Sequence, residues 1–195
     1  MEVHLAARGS PPASEVRSTI LVSAIQAIRA RGLYDSYLGA LPDHARERFA
    51  TLVAGVWLPV DDAVTHYRAV NQLGLETREI ESIGAEVAER INKSALSIAV
   101  QLSRRVGVTP WGALSLAHRI NDLNWRGGDI AVYKVGAKEA LYEWTGQPCA
   151  SVPYFVTSFG GYLRALAALF AERAHARPVP ERCSDTTLTH RLSWI

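Results

Sequence analysis

Gly127-Gly128-Asp129-Ile130-Ala131-Val132-Tyr133-Lys134-Val135-Gly136-Ala137-Lys138-Glu139-Ala140-Leu141-Tyr142-Glu143-Trp144-Thr145 is the stretch where the chain changes its rhythm. Upstream of Trp125 the apolar residues recur every three or four positions, the spacing of one helix face. From Ile130 onward they alternate or run together in short β-branched and aromatic blocks, as strands do. Gly127-Gly128 marks the break. Gly136-Ala137-Lys138-Glu139 joins Ile130–Val135 to Ala140–Thr145 as a β-hairpin.

Working back toward the N-terminus, Thr109-Pro110 opens a helix through Leu114, Ala117 and Ile120, with proline at a first-turn position it tolerates. Before it, Ile80, Ile83, Val87, Ile91, Ala95, Ile98, Leu102 and Val106 step by three or four, which predicts a long helix from Thr77 to Val106. Asp61 or Asp62 starts a helix that ends at Gly74. Val56-Trp57-Leu58-Pro59 reads as an apolar connector, because Pro59 biases Leu58 away from helix. Residues 43–55 and a short turn at Tyr34–Leu38 are helical. Ser14 is placed to cap a first helix carrying Val16, Ile20, Ala24 and Ile28, and Gly32 stops it. Residues 1–13 show no periodicity and read as a flexible arm.

Working forward, a helix is expected from Pro153 to about Ala174, with a bulky stripe of Phe155, Phe159, Tyr162, Leu163, Leu166 and Phe170. Gly161, Ala165 and Ala168 form a second, thin stripe that would let another backbone come close. Leu188, His190, Leu192 and Trp194 alternate with polar residues as a closing strand. Its partner, Arg177–Cys183, holds Pro178 and Pro180, so that strand is an edge or only partly paired. The fold class is α+β. A helical N-terminal part precedes a four-stranded, mostly antiparallel sheet (hairpin, helix, hairpin), and residues 14–195 form one domain.

The 195 residues are 48% hydrophobic and 21% charged, enough for a packed core and too ordered in composition for disorder. A net charge of +2 gives no electrostatic pull toward nucleic acid, and Arg29, Arg31, Arg104 and Arg105 read as solvated helix faces. No apolar run is long enough for a membrane span or a signal peptide. With only Cys149 and Cys183 present, no disulfide framework is expected and the setting reads as cytoplasmic. The two thiols could meet if the loop after the first hairpin folds back, but unpaired thiols are the simpler reading.

The order of elements carries a resemblance. Phe159-Gly160-Gly161-Tyr162-Leu163-Arg164-Ala165-Leu166, a strand to Cys183 and the closing Leu188–Trp194 resemble the C-terminal half of one superfamily. It contains haem–nitric-oxide-binding domains, 4-vinyl-reductase-type small-molecule-binding domains and vesicle-tethering-particle subunits. More narrowly, Leu41-Pro42, Trp57-Leu58-Pro59, Trp111–Trp125 and the tail from Pro153-Tyr154-Phe155 to Trp194 are similar to a paralogous family expanded in myxobacteria. These are packing motifs, so what the resemblance implies is a fold. The tyrosine–serine–arginine haem-propionate signature of the nitric-oxide sensors is missing, and the cysteine cluster of some 4-vinyl-reductase-type domains is reduced to Cys183.

No catalytic motif is present: no His-Glu-x-x-His, phosphate-cradling glycine loop, Gly-x-Ser-x-Gly or dinucleotide fingerprint. The chain therefore reads as a non-enzyme without catalytic residues. Asp62 with His66, and His118 with Asp122, share helix faces at i, i+4 but lack the further ligands a metal needs, so surface pairs are the plainer account and no metal is expected. The candidate ligand-binding residues are Trp57 and Trp111 at helix entries, Tyr154, His118 on an apolar helix, and His190 on the apolar face of the last strand. Two functions stay open. The leading one is a binding or sensory domain without cofactor, recognising a protein partner or small apolar ligand, with a homodimer among its forms. The alternative is a haem or gas sensor using a helical histidine, His118 or His66.

Overall fold

A computed structural model describes residues 1–95 and 109–195. The chain opens with strands β1 (Glu2–Leu5) and β2 (Glu15–Arg17), then helices α1 (Ser18–Ala30), α2 (Tyr34–Ala40) and α3 (Asp43–Ala50). Strand β3 (Trp57–Pro59) leads into α4 (Val60–Asn71) and α5 (Thr77–Ala95). Beyond residue 108 come α6 (Pro110–Leu114), α7 (Ala117–Asn124) and β4 (Trp125–Arg126). The hairpin β5 (Asp129–Gly136) and β6 (Glu139–Thr145), helix α8 (Pro153–Ala168), and strands β7 (Ala174–Pro178) and β8 (Thr187–Trp194) complete it.

The α+β class and the antiparallel hairpin–helix–hairpin order are as the sequence indicated. The main sheet has five strands rather than four, in the order β1-β5-β6-β8-β7. Its pairing sets Ile130, Trp144 and Leu188 in one row and Val132, Tyr142 and His190 in the next. All six point to one face, and all six are buried. Against that face lies α8, which packs on β7 and β8 and, on its other side, on α5; α5 in turn packs on α1.

The fifth strand comes from within residues 1–13, the stretch read as a flexible arm. Glu2, Val3 and Leu5 pair with Lys134, Tyr133 and Val132 at the edge of the sheet. Residues 6–14 continue as a strap. Its Arg8, Gly9 and Ser10 amides donate to the Asp129 carboxylate at 3.0, 2.5 and 3.0 Å, and Arg8 grips Asp122 with both terminal nitrogens. Backbone donors captured by a distant carboxylate leave no local period to read.

A second sheet, β3-β2-β4, was also not anticipated. Trp57-Leu58-Pro59 is a strand, and Ser14 bonds the Arg126 carbonyl instead of capping α1. The last hairpin is shifted toward the N-terminus: Pro180 opens a 3₁₀ turn, and α8 ends early because Glu172 and Arg173 donate to the Ile195 carbonyl. β7 is an edge strand, where its proline is tolerated. The end of the predicted long helix, with Ile98, Leu102, Val106, Arg104 and Arg105, lies outside the described residues.

Two glycines fix the crossing of α5 and α8. A Cβ on Gly84 would collide with the Ser158 carbonyl, and one on Gly161 with the Glu81 carbonyl. The helices touch backbone to backbone at both points. Gly161→Ala is expected to cost about 3 kcal/mol or more in urea unfolding followed by circular dichroism. Gly39→Ala, in α2 with open space around it, should instead be neutral or gain up to ~1 kcal/mol; equal effects would refute the crossing.

Candidate functional site

Beside that crossing the helices leave a cavity of about 70 Å³, bounded by α1, α4, α5, α7, α8 and the strands β4 and β6. Gly84 and Ser158 are part of its wall, and Tyr67, Trp144, Phe155 and Phe159 give it aromatic surfaces. Ring contacts at 4.8 to 6.0 Å tie Tyr67, Trp144, Phe155 and Phe159 into one cluster. Three wall residues carry buried polar atoms with no hydrogen-bond partner: Asn121 Oδ1, Trp144 Nε1 and Tyr154 Oη. The Asn121 amide is oriented by its Nδ2, which donates to the Gly127 carbonyl at 3.3 Å. The Trp144 indole nitrogen lies against Gly128, where a side chain would clash with it. Burial raises the Tyr154 phenol, so the hydroxyl stays protonated.

Of the five residues singled out from the sequence, Tyr154 lies on this wall. Trp57 sits on β3, with the Arg126 and Arg17 guanidiniums 4.6 and 5.2 Å from its ring centroid. Trp111 packs edge-on against Trp194 at 4.9 Å and donates to the Ala137 carbonyl at 2.9 Å, closing the end of the hairpin. His118 is on α7 but not on the side of Ile120, Asn121 and Asn124, which meet the cavity; its Nε2 bonds the Ala6 carbonyl of the strap at 2.9 Å. His190 is buried, with Nε2 donating to the Val156 carbonyl at 2.9 Å and its ring edge-on to Phe159 at 5.6 Å.

The helical pairs differ from the expected surface pairs. Asp62 and His66 are buried: Asp62 is held by Arg48, and His66 Nδ1 meets the Tyr37 hydroxyl at 2.8 Å. Asp122 is taken by Arg8 at 2.7 Å. Among the described residues no group of three or more His, Cys, Asp or Glu is placed to hold a metal. Cys149 and Cys183 are free thiols, Cys149 buried and pushed up by that burial. Asn121, Trp144 and Gly84 were missed as cavity residues, since their role depends on elements meeting that lie far apart in sequence.

No protein-family model and no curated protein matches the chain. Solved structures do. An H-NOX protein mutant from K. algicida with unliganded Fe(II) superposes at TM-score 0.63, 9% identity, over 92% of this chain and 96% of its own. An oxygen-binding H-NOX domain related to soluble guanylate cyclases, in its oxygen complex, gives 0.58 and 13% over 91% and 94%. A structure from a study of haem distortion in the H-NOX family gives 0.61 and 12% over 91% and 94%. The fold is therefore the H-NOX fold, the haem–nitric-oxide-binding branch of the resemblance. This corrects the expectation of no cofactor: structures sharing the architecture come from studies of haem in H-NOX proteins.

The cavity walls do not fit a haem in the arrangement seen. At about 70 Å³ the space is under half of the ~150 Å³ that admits benzene. Among the described residues no histidine, cysteine or methionine lines it. Its tyrosines are poor anionic ligands, because burial raises them all, Tyr162 to about 12.

Burial lowers His66 to about 3 and His190 to about 4, the latter against the opposing pull of the Val156 carbonyl. Both are neutral in the fold and titrate near 6.5 when unfolded. Their contribution to stability is complete above pH 6.5 and lost as pH falls toward 4, by about 1.4 kcal/mol per pH unit for each histidine. Urea midpoints should fall over that window, and His190→Gln should flatten part of the slope. A profile level from pH 7 to 4.5 would contradict this.

Proposed function

We propose that this chain is a non-enzymatic sensory domain that seats a small-molecule ligand in the cavity beside the α5–α8 crossing. The observation that carries the reading is the cavity itself: aromatic walls, bounded by both the helical part and the sheet, with unsatisfied polar atoms. Small-molecule sites share that character. A cytoplasmic setting belongs to the proposal, resting on two free thiols. No helix among the described residues is long and apolar enough to cross a membrane.

A second reading, a haem or gas sensor, has its own support, because the fold is that of haem proteins. The comparisons back it better than the leading expectation of a protein partner or small apolar ligand, for which Trp57 and Trp111 would be the contact residues. Haem would supply a metal centre for a diatomic gas. His118 would hold it, from the side of α7 turned to the strap rather than to the cavity.

Titrating the full chain with haemin while recording visible spectra and melting temperature separates the two. A one-to-one Soret band, weakened at least tenfold in His118→Ala, is the expected outcome for haem. A higher melting temperature with small neutral molecules and no Soret band is the outcome for a smaller ligand. A chain whose spectrum and melting respond to neither would sink the sensory proposal.

A further inference from the structure

The polar atoms of the cavity wall are the part of the site that neither aromatic packing nor the fold accounts for. Asn121, Trp144 and Tyr154 are each more than nine-tenths buried, and each carries an atom whose hydrogen bonding is unmet. Their chemistry differs. Asn121 Oδ1 accepts only, its amide orientation being fixed through Gly127. Trp144 Nε1 donates only, and Tyr154 Oη does either. A hydrocarbon, a noble gas or a homonuclear diatomic entering here would leave all three unmet, the circumstance in which polar sites reject apolar analogues most strongly. The volume sets the size. If about 150 Å³ admits the six heavy atoms of benzene, about 70 Å³ admits roughly three or four.

We infer that this cavity selects compact, neutral molecules of three or four heavy atoms that both donate and accept hydrogen bonds, the class of small primary amides, and that Asn121 and Tyr154 set the selection. The inference deepens the sensory proposal and rests on it. The Asn121 oxygen takes the ligand's N–H, and the Tyr154 hydroxyl donates to its carbonyl. Both polar atoms are buried in the wall, which makes each contact count.

The test uses the full chain and two probes, acetamide and xenon, read by saturable NMR shifts of the protein and of ¹²⁹Xe. Tyr154→Phe is the informative variant because its hydroxyl has no partner to lose, and its folding is checked by melting temperature. Wild type should bind acetamide saturably and exclude xenon. Tyr154→Phe should bind acetamide at least tenfold more weakly and admit xenon. Xenon bound by wild type as well as by the variant, or acetamide binding indifferent to Tyr154, overturns the polar selection while leaving the cavity a ligand site. If neither probe binds either form, the cavity is no ligand site and the sensory proposal for it falls as well.

Discussion

The backbone contact between α5 and α8 is the constraint on which the rest of the fold depends. Gly84 meets the Ser158 carbonyl and Gly161 meets the Glu81 carbonyl, so the two helices cross with nothing between them. Large side chains on either side of a contact that close are forced outward. Phe155 and Phe159 go toward the sheet and meet Trp144 at 6.0 and 5.1 Å, while Ile83 and Val87 line the cavity. Where these displaced side chains fail to meet, the cavity opens, with Gly84 and Ser158 in its wall. The site is thus a by-product of the same glycines that hold the helical part on the sheet.

Asp129 does for the N-terminus what those glycines do for the helices. It begins the first hairpin strand, and its carboxylate gathers the amides of Arg8, Gly9, Ser10 and Ile130. Burial pushes this carboxyl up, but the four N–H donors outweigh it and hold the group below its ordinary range. The strap so anchored runs beside α7, where Arg8 takes Asp122 and Ala6 takes His118. α7 therefore faces the cavity with Asn121 and the strap with His118. Any ligand that moves α7 acts on strap and cavity together.

What could be read from the residues follows from how local each signal is. The Ile130–Thr145 hairpin and the Leu188–Trp194 strand announce themselves by alternation and by a short turn, both encoded within a few positions. The thin stripe containing Gly161 was legible as a surface for close approach, and Gly84 as the lone glycine in the described part of its helix. That one would lie on the other was not, because the pairing spans about eighty residues. Strand β1 and the three-stranded sheet escaped for the same reason: two- to four-residue strands carry no period, and their partners are remote in sequence, β2 pairing with Trp57–Pro59 and Trp125-Arg126, and β1 with residues 132–134. Tyr154 stood out only as one of a set of aromatic residues, a weak signal. Asn121 has no sequence signature at all, since its significance lies in an oxygen left without a partner.

That missing partner bears on how the site should be understood. Eight buried side-chain polar atoms lack partners among the described residues, and three of them belong to the walls of this one cavity. Each unmet group costs about 1–3 kcal/mol against a net stability of only ~5–15 kcal/mol for a domain. Leucine or phenylalanine at these positions would pack with the surrounding aromatics at no such cost. The arrangement is therefore costly unless an occupant, ordered water included, meets these groups. It is coherent for a cavity completed by an occupant bearing its own donors and acceptors, and wasteful for a cavity that is only a packing defect.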